Sequence, residues 1–296
     1  MYFPTAGIEV SPLIPPLASF AVSFFMSMGG LSGAFLLVPF QMSVLGYTNT
    51  SVSATSQLYN VFSNPGGVFR YWREERMVWP LAWVILLGTI PGILIGALVR
   101  VYWLPDARPF KLFVALVLFC IGVQLLRDLR RVRSGVAVPA PRPVVRIVEQ
   151  NHHRVRYQYD GREYTFSVPV LLLFCVGVGV VGGIYGIGGG ALIAPFLVSV
   201  FGLPIHTVAG ATLCATCLAA GVGVGFYTLL APFFPHLTLL PDWRMALLLG
   251  MGGLCGMYLG ARCQKYVPAR ALKWMLVLVL LGTVLAYGIE FFTVRP

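Results

Sequence analysis

The sequence predicts an all-α, polytopic membrane protein with about eight transmembrane segments in two four-segment repeats. The repeats carry broken or re-entrant Gly-rich helices and flank a small β-rich linker. Three observations carry this prediction. The 296 residues are 58% hydrophobic and only 10% charged, with a mean hydropathy of +0.83. Runs such as "MVWPLAWVILLGTIPGILIGALV" and "WMLVLVLLGTVLAYGIEFF" reach the roughly 20 apolar residues that cross a bilayer. Glycine-rich stretches, among them "GGIYGIGGGALIAPF" (Gly182 to Phe196), interrupt these runs at matching places in the two halves.

Taken in order, apolar runs and breakers place segments at about 17–45, 49–64, 79–102, 109–127, 168–201, 204–231, 243–263 and 270–292. The first apolar run starts near Leu13 with no Lys or Arg before it, which reads as a retained span and not a cleaved signal peptide. At about 1.5 Å per residue the first and fifth segments are too long for one straight crossing, so a tilt, break or re-entrant turn is expected in each. Residues 1–127 form the first transmembrane repeat, 128–167 a polar extramembrane linker and 168–296 the second repeat. Within the linker, alternating residues flank Asp160-Gly161, a good two-residue hairpin turn, and predict a small β-meander. His152 and His153 are adjacent, so in a strand they point to opposite faces and suit solvent better than a metal.

The duplication rests on three ordered matches. "GGLSGAFLLVPFQMSVLG" (Gly29 to Gly46) aligns with "YGIGGGALIAPFLVSVFG" (Tyr185 to Gly202), pairing Gly30 with Gly186, Gly33 with Gly189 and Pro39 with Pro195. "GTIPGILIGA" (Gly88 to Ala97) matches "GGLCGMYLGA" (Gly252 to Ala261), and "ARPFK" (Ala107 to Lys111) matches "ARALK" (Ala269 to Lys273). If all eight segments cross, twelve basic residues near span ends share the linker side against seven opposite, which places the linker in the cytoplasm. An even number of crossings per repeat makes the repeats parallel and an odd number inverts them, so a re-entrant first segment changes the answer. The net charge of +11 reads as membrane topology and lipid headgroup contact, not as nucleic-acid binding.

Helix breaks at equivalent places in two repeats point to a transporter's binding site, because freed backbone groups need a protein or aqueous partner. Gly30, Ser32 and Gly33 precede Pro39; Gly186, Gly188, Gly189 and Gly190 precede Pro195, and the two prolines are read as part of the breaks. A glycine loop opening onto a helix N-terminus offers N–H donors and the positive end of a dipole, which suits an anion. Ser53, Gln57, Asn60 and Asn64 fall on one helical face. His206, Thr207, Thr212 and Thr216 are their sparser counterparts. Such groups either replace water around an oxyanion or join neighbouring helices. No Asp or Glu lies near the centre of a span, which leaves His206 as the one imidazole near a break for proton coupling.

Cys214-Ala-Thr-Cys217 is a CxxC inside an apolar segment, where small packing residues are a better reading than redox or metal chemistry. No metal-ligand motif, nucleophile elbow or phosphate loop appears, so no cofactor, metal or enzymatic activity is expected. The two GxxxGxxxGA stripes allow close helix contact, within the chain or between protomers.

The repeated glycine segment ending in Pro-Phe, followed by a short loop into a Ser/Thr-bearing span, resembles the TauE/SafE (TSUP) group of permeases. The likeness covers both halves. It is most specific in "YGIGGGALIAPFLVSVFGLPIHTVAGATL" and looser in the first half, where Ser32 and Ala34 stand opposite Gly188 and Gly190; the linker is longer than the family's usual one. The resemblance implies a secondary transporter of small sulfur-containing anions, such as sulfite or an organosulfonate, in the bacterial inner membrane, most simply an exporter. Its partners are then the anion and membrane lipid. A redox protein using the CxxC and a structural or signalling protein using the linker are the alternatives.

Overall fold

A computed structural model describes residues 1–131 and 144–267, together with 274, 277–278 and 281–285. A short hairpin, β1 (Tyr2–Phe3) and β2 (Ile8–Glu9), precedes α1 (Ile14–Met28), α2 (Ala34–Ser43), α3 (Ser51–Arg73), α4 (Trp79–Tyr102) and α5 (Ala107–Arg131). The linker contributes β3 (Arg146–Gln150), β4 (Arg154–Tyr159) and β5 (Arg162–Ser167), after which α6 (Val168–Tyr185), α7 (Gly190–Ser199), α8 (Ile205–Leu230) and α9 (Trp243–Cys263) repeat the first four helices. Most of the last expected segment, 270–292, lies outside the described residues.

Five described helices, α4, α5, α6, α8 and α9, are long and apolar enough to cross a membrane. The long first and fifth runs are each split: α1 and α2 are separate short helices, as are α6 and α7. In each pair the second helix folds back on the first. A Cβ on Gly33 would touch Ser23 of α1, and Gly189 approaches Gly179 of α6. The α1–α2 and α6–α7 pairs are therefore re-entrant hairpins; among the described residues α3, α4 and α5 follow the first and α8 and α9 the second.

Direction follows from the close approaches. Gly88 meets Cys175 and Gly96 meets Gly183, so α4 and α6 run parallel. Gly252 meets Pro16 and Gly260 meets Phe24, so α9 and α1 also run parallel. Gln57 faces Gly223 while Leu213 faces Gly67, so α3 and α8 are antiparallel. Since α3 and α8 follow the two hairpins and run in opposite directions, the described parts of the two halves are inverted. Both GxxxGxxxGA stripes work within the chain and across the repeat boundary. Each lets the third long helix of one half approach the opening helix of the other, backbone to backbone.

The two ends of the bundle are distinct. On the N-terminal face, Ala6 N–H donates to Asp242 at 3.2 Å, Asn49 Nδ2 to Thr5 O at 2.8 Å, and Thr50 Oγ1 to Pro105 O at 3.2 Å. On the opposite face the linker forms an antiparallel sheet in the order β3-β4-β5, turning at Asp160-Gly161, where both φ angles are positive. Alternation in β4 buries Val155, Tyr157 and Tyr159 and exposes Arg154, Arg156 and Gln158. Tyr157 Oη bonds Thr207 Oγ1 at 2.9 Å, and Val145 N–H donates to Glu75 O at 3.2 Å, seating the sheet on the ends of α8 and α3. Exposed Trp72 and Trp79 sit at this end, and Tyr102, Trp103 and Trp243 at the other, as in the aromatic belts of membrane interfaces.

Candidate functional site

α3 forms the axis of the site. It runs on to Arg73, well past the residue 64 expected from hydropathy, because its polar face is enclosed by α8 and α9 and needs no lipid-compatible side chains. Ser53, Gln57, Asn60, Ser63 and Asn64 are all fully buried.

The two breaks meet α3 and α8 in symmetrical fashion. Gly30, at φ +71°, lets the first break approach α8, where an added Cβ would lie 2.8 Å from Ala209 Cβ. Gly186, at φ +84°, lets the second approach α3, where an added Cβ would lie 2.5 Å from Ser53 Cα. Positive φ and lack of space both require glycine at these two points.

Asn60 joins the breaks. Its Nδ2 donates to Ile187 O at 2.8 Å and its Oδ1 accepts from Ser32 Oγ, so one side chain holds the first and second glycine segments together. Ser32 Oγ also accepts from Ala34 N–H at 3.2 Å, closing the first turn of α2. No carbonyl among the described residues accepts from the N–H of Ser32, Gly33, Gly188 or Gly189. Ser32 and Gly188 lie next to Asn60, and Gly33 and Gly189 head the two re-entrant helices. Gly188 and Gly190 pack on Thr216, the position equivalent to Asn60, while Gly189 packs on Thr89 of α4. Thr212 Oγ1 ties this side to the first break through Gly30 O at 3.2 Å.

Two expectations need correction. Pro39 and Pro195 are not the breaks: α2 and α7 continue through them to Ser43 and Ser199, and the chain leaves the helix at the glycines instead. Pro39 cannot donate to Phe35 O, and Tyr185 Oη supplies that bond at 2.8 Å. Thr207 lies at the linker face, bonded to Tyr157 and to Pro204 O. His206 stands there too, beside Arg76 and Gln264. Both belong to the first turn of α8, within one turn of Ala209, where Gly30 of the first break meets that helix.

One residue was missed. Arg100, near the end of α4, reads in sequence as an interfacial charge, yet it is 0% exposed. Its Nε donates to Ser53 Oγ at 3.3 Å, its guanidinium carbon lies 3.8 Å from the Phe110 ring centroid, and neither Nη has a hydrogen-bond partner. A buried Asp, Asp242, is fully explained: it caps α9 through Met245 N–H at 2.9 Å and anchors Ala6. All six cysteines are free, and Cys217 donates to Val61 O at 3.8 Å instead of pairing with Cys214. No group of His, Cys, Asp and Glu suited to a metal occurs among the described residues.

The described helices make a polytopic helical membrane protein in which two broken helices fold back beside buried polar helices, an arrangement that suits a transporter. The chain belongs to the sulfite exporter TauE/SafE family, whose model matches residues 16–287. It is 23% identical over 274 residues to "Probable membrane transporter protein YunE" of Bacillus subtilis (strain 168), covering 88% of this chain and 92% of that one. It is 27% identical over 245 residues to a "Probable membrane transporter protein" of Xylella fastidiosa (strain Temecula1 / ATCC 700964), covering 81% and 79%. No solved structure matches the chain significantly.

Proposed function

We propose that this protein moves small sulfur-containing oxyanions, sulfite or organosulfonates, out of the cell across a bacterial inner membrane. The observation that carries the reading is Asn60, fully buried and bonded to both broken segments, next to Ser32 and Gly188, whose backbone N–H groups have no carbonyl acceptor among the described residues. Amides and neutral side chains replace the hydration shell of an anion without a fixed charge that would hold it too tightly for release. The family's description supplies the substrate class.

Orientation follows from charge. With inverted halves, the linker face carries Arg70, Arg73, Arg76, Arg127, Arg130, Arg131, Arg146, Arg154, Arg156, Arg162, Arg262 and Lys265. The N-terminal face carries only Arg100, Arg108, Lys111 and Arg244 among the described residues. By the positive-inside rule this asymmetry supports a cytoplasmic linker.

The test is flux in proteoliposomes loaded in turn with sulfite, sulfate, thiosulfate, methanesulfonate and acetate, with and without a pH gradient. Wild-type protein should move sulfite or the sulfonate in preference to acetate. Gly33→Leu and Gly189→Leu, which fill the contacts with Tyr59 and Thr89, should abolish that flux in a folded protein. Wild-type rates from either folded variant would refute the site.

A further inference from the structure

A second polar cluster lies along the same helix, toward the N-terminal face. Arg100 stands beside Tyr227 of α8, and Tyr227 in turn lies close to Ser53. One turn further along α3 is Gln57, packed against Gly223, one turn back from Tyr227. All four side chains are fully buried. Both Nη atoms of Arg100, the Tyr227 hydroxyl and both polar atoms of Gln57 have no hydrogen-bond partner.

Buried polar groups are ordinarily hydrogen-bonded, and a buried charge is ordinarily paired. The nearest carboxylate, Asp106, does not bond either Nη atom. Phe110 covers a face of the guanidinium and Ser53 occupies Nε, so the donors left over are the two in-plane Nη groups. That edge matches two oxygens of one oxyanion, in the fork geometry that distinguishes arginine from lysine. Tyr227 adds a hydroxyl and Gln57 an amide donor. Burial on every side excludes a lipid headgroup.

We propose that Arg100, Tyr227, Ser53 and Gln57 form a binding site for one small oxyanion, separate from the Asn60 junction and nearer the N-terminal face. Seven residues, about 10 Å of helix rise, separate Ser53 from Asn60 on α3. The site deepens the transport reading by giving the anion a charged station on one side of a neutral one, and it rests on that reading for its place in a pathway. Its existence as a binding site does not.

The experiment is equilibrium binding of radiolabelled sulfite, sulfate and methanesulfonate to the purified full-length protein, in chloride at constant ionic strength. Wild type should bind at least one of them saturably. Arg100→Gln should weaken binding ~10-fold or more, the loss expected for a charged hydrogen-bonding partner. Arg100→Lys should fall between, and Arg73→Gln, which removes an exposed charge on the other face, should match wild type. Tyr227→Phe, which preserves volume, should weaken binding several-fold and decides the matter if Arg100→Gln does not fold. Absence of saturable binding in wild type overturns the proposal, as does unchanged affinity in folded Arg100→Gln or, where that variant is lost, in Tyr227→Phe. Binding that depends on Arg100 without any flux would overturn the transport function and leave the site standing. Flux with affinity indifferent to these substitutions would do the reverse.

Discussion

Gly188 and Gly202 both adopt left-handed backbone, at φ +73° and +67°, but differ in surroundings, which makes them a matched pair. An alanine at either position bears the left-handed penalty of roughly 1–2 kcal/mol. At Gly202 a Cβ meets nothing within 4 Å, so Gly202→Ala should cost only that amount. At Gly188 the Cβ would fall 2.8 Å from Thr216 Cγ2, a contact real side chains do not make, and either α8 or the break must shift. Overpacking of this kind adds about 1–3 kcal/mol. At about 2–4 °C per kcal/mol for a larger domain, Gly188→Ala should melt roughly 2–12 °C below Gly202→Ala in the same detergent. Thermal unfolding followed by tryptophan fluorescence reads the difference, and flux measured in parallel should fall for Gly188→Ala alone. Equal melting temperatures, or the opposite order, would refute the close packing of the second break on α8.

Other consequences are open to measurement. Asp242→Ala removes the cap on Met245 and the acceptor for Ala6, and should destabilise by about 1–2 kcal/mol while increasing proteolysis of the N-terminal hairpin. Burial pushes the Tyr157 hydroxyl from 10.0 up to about 12, so its neutral form stabilises the seated sheet. That contribution is complete below pH 10 and disappears as pH rises toward 12; Tyr157→Phe should flatten the base-induced loss of sheet docking in this window, read by hydrogen exchange in β4. A Cys214→Ser, Cys217→Ser double variant should retain wild-type flux, and loss of activity in a folded double variant would revive a thiol mechanism.

Much of the architecture was legible because hydropathy and glycine spacing record what each backbone needs. The pairing of Gly30 with Gly186 predicted equivalent breaks, and the two GxxxGxxxGA stripes predicted close helix contacts. Direction was not legible: a 29-residue apolar run has the same hydropathy whether it crosses or turns back, and the inversion depends on that choice. α3 was shortened to residues 49–64 because its enclosed polar face lowers its hydropathy. Asn60 was legible as one member of a polar stripe, whereas its bonds reach back 28 residues to Ser32 and on 127 residues to Ile187. Arg100 was hidden for a different reason. An arginine close to a helix end ordinarily reaches the interface, and only the packing of Phe110 and Tyr227 keeps it inside.

The parallel pairing of α1 with α9 makes the order of synthesis a problem for the cell. Ser19 of α1 bonds Leu249 O, 230 residues further along the chain. At roughly 5–20 residues per second, α1 leaves the ribosome about 10–50 s before its partner exists. During that interval the buried Ser19 has only lipid, the insertion machinery or a chaperone for company. Neither half is therefore a folding unit, and residues 1–131 expressed alone should be degraded. Co-expression of the two halves as separate chains should rescue both, because the missing surface of each is supplied by the other.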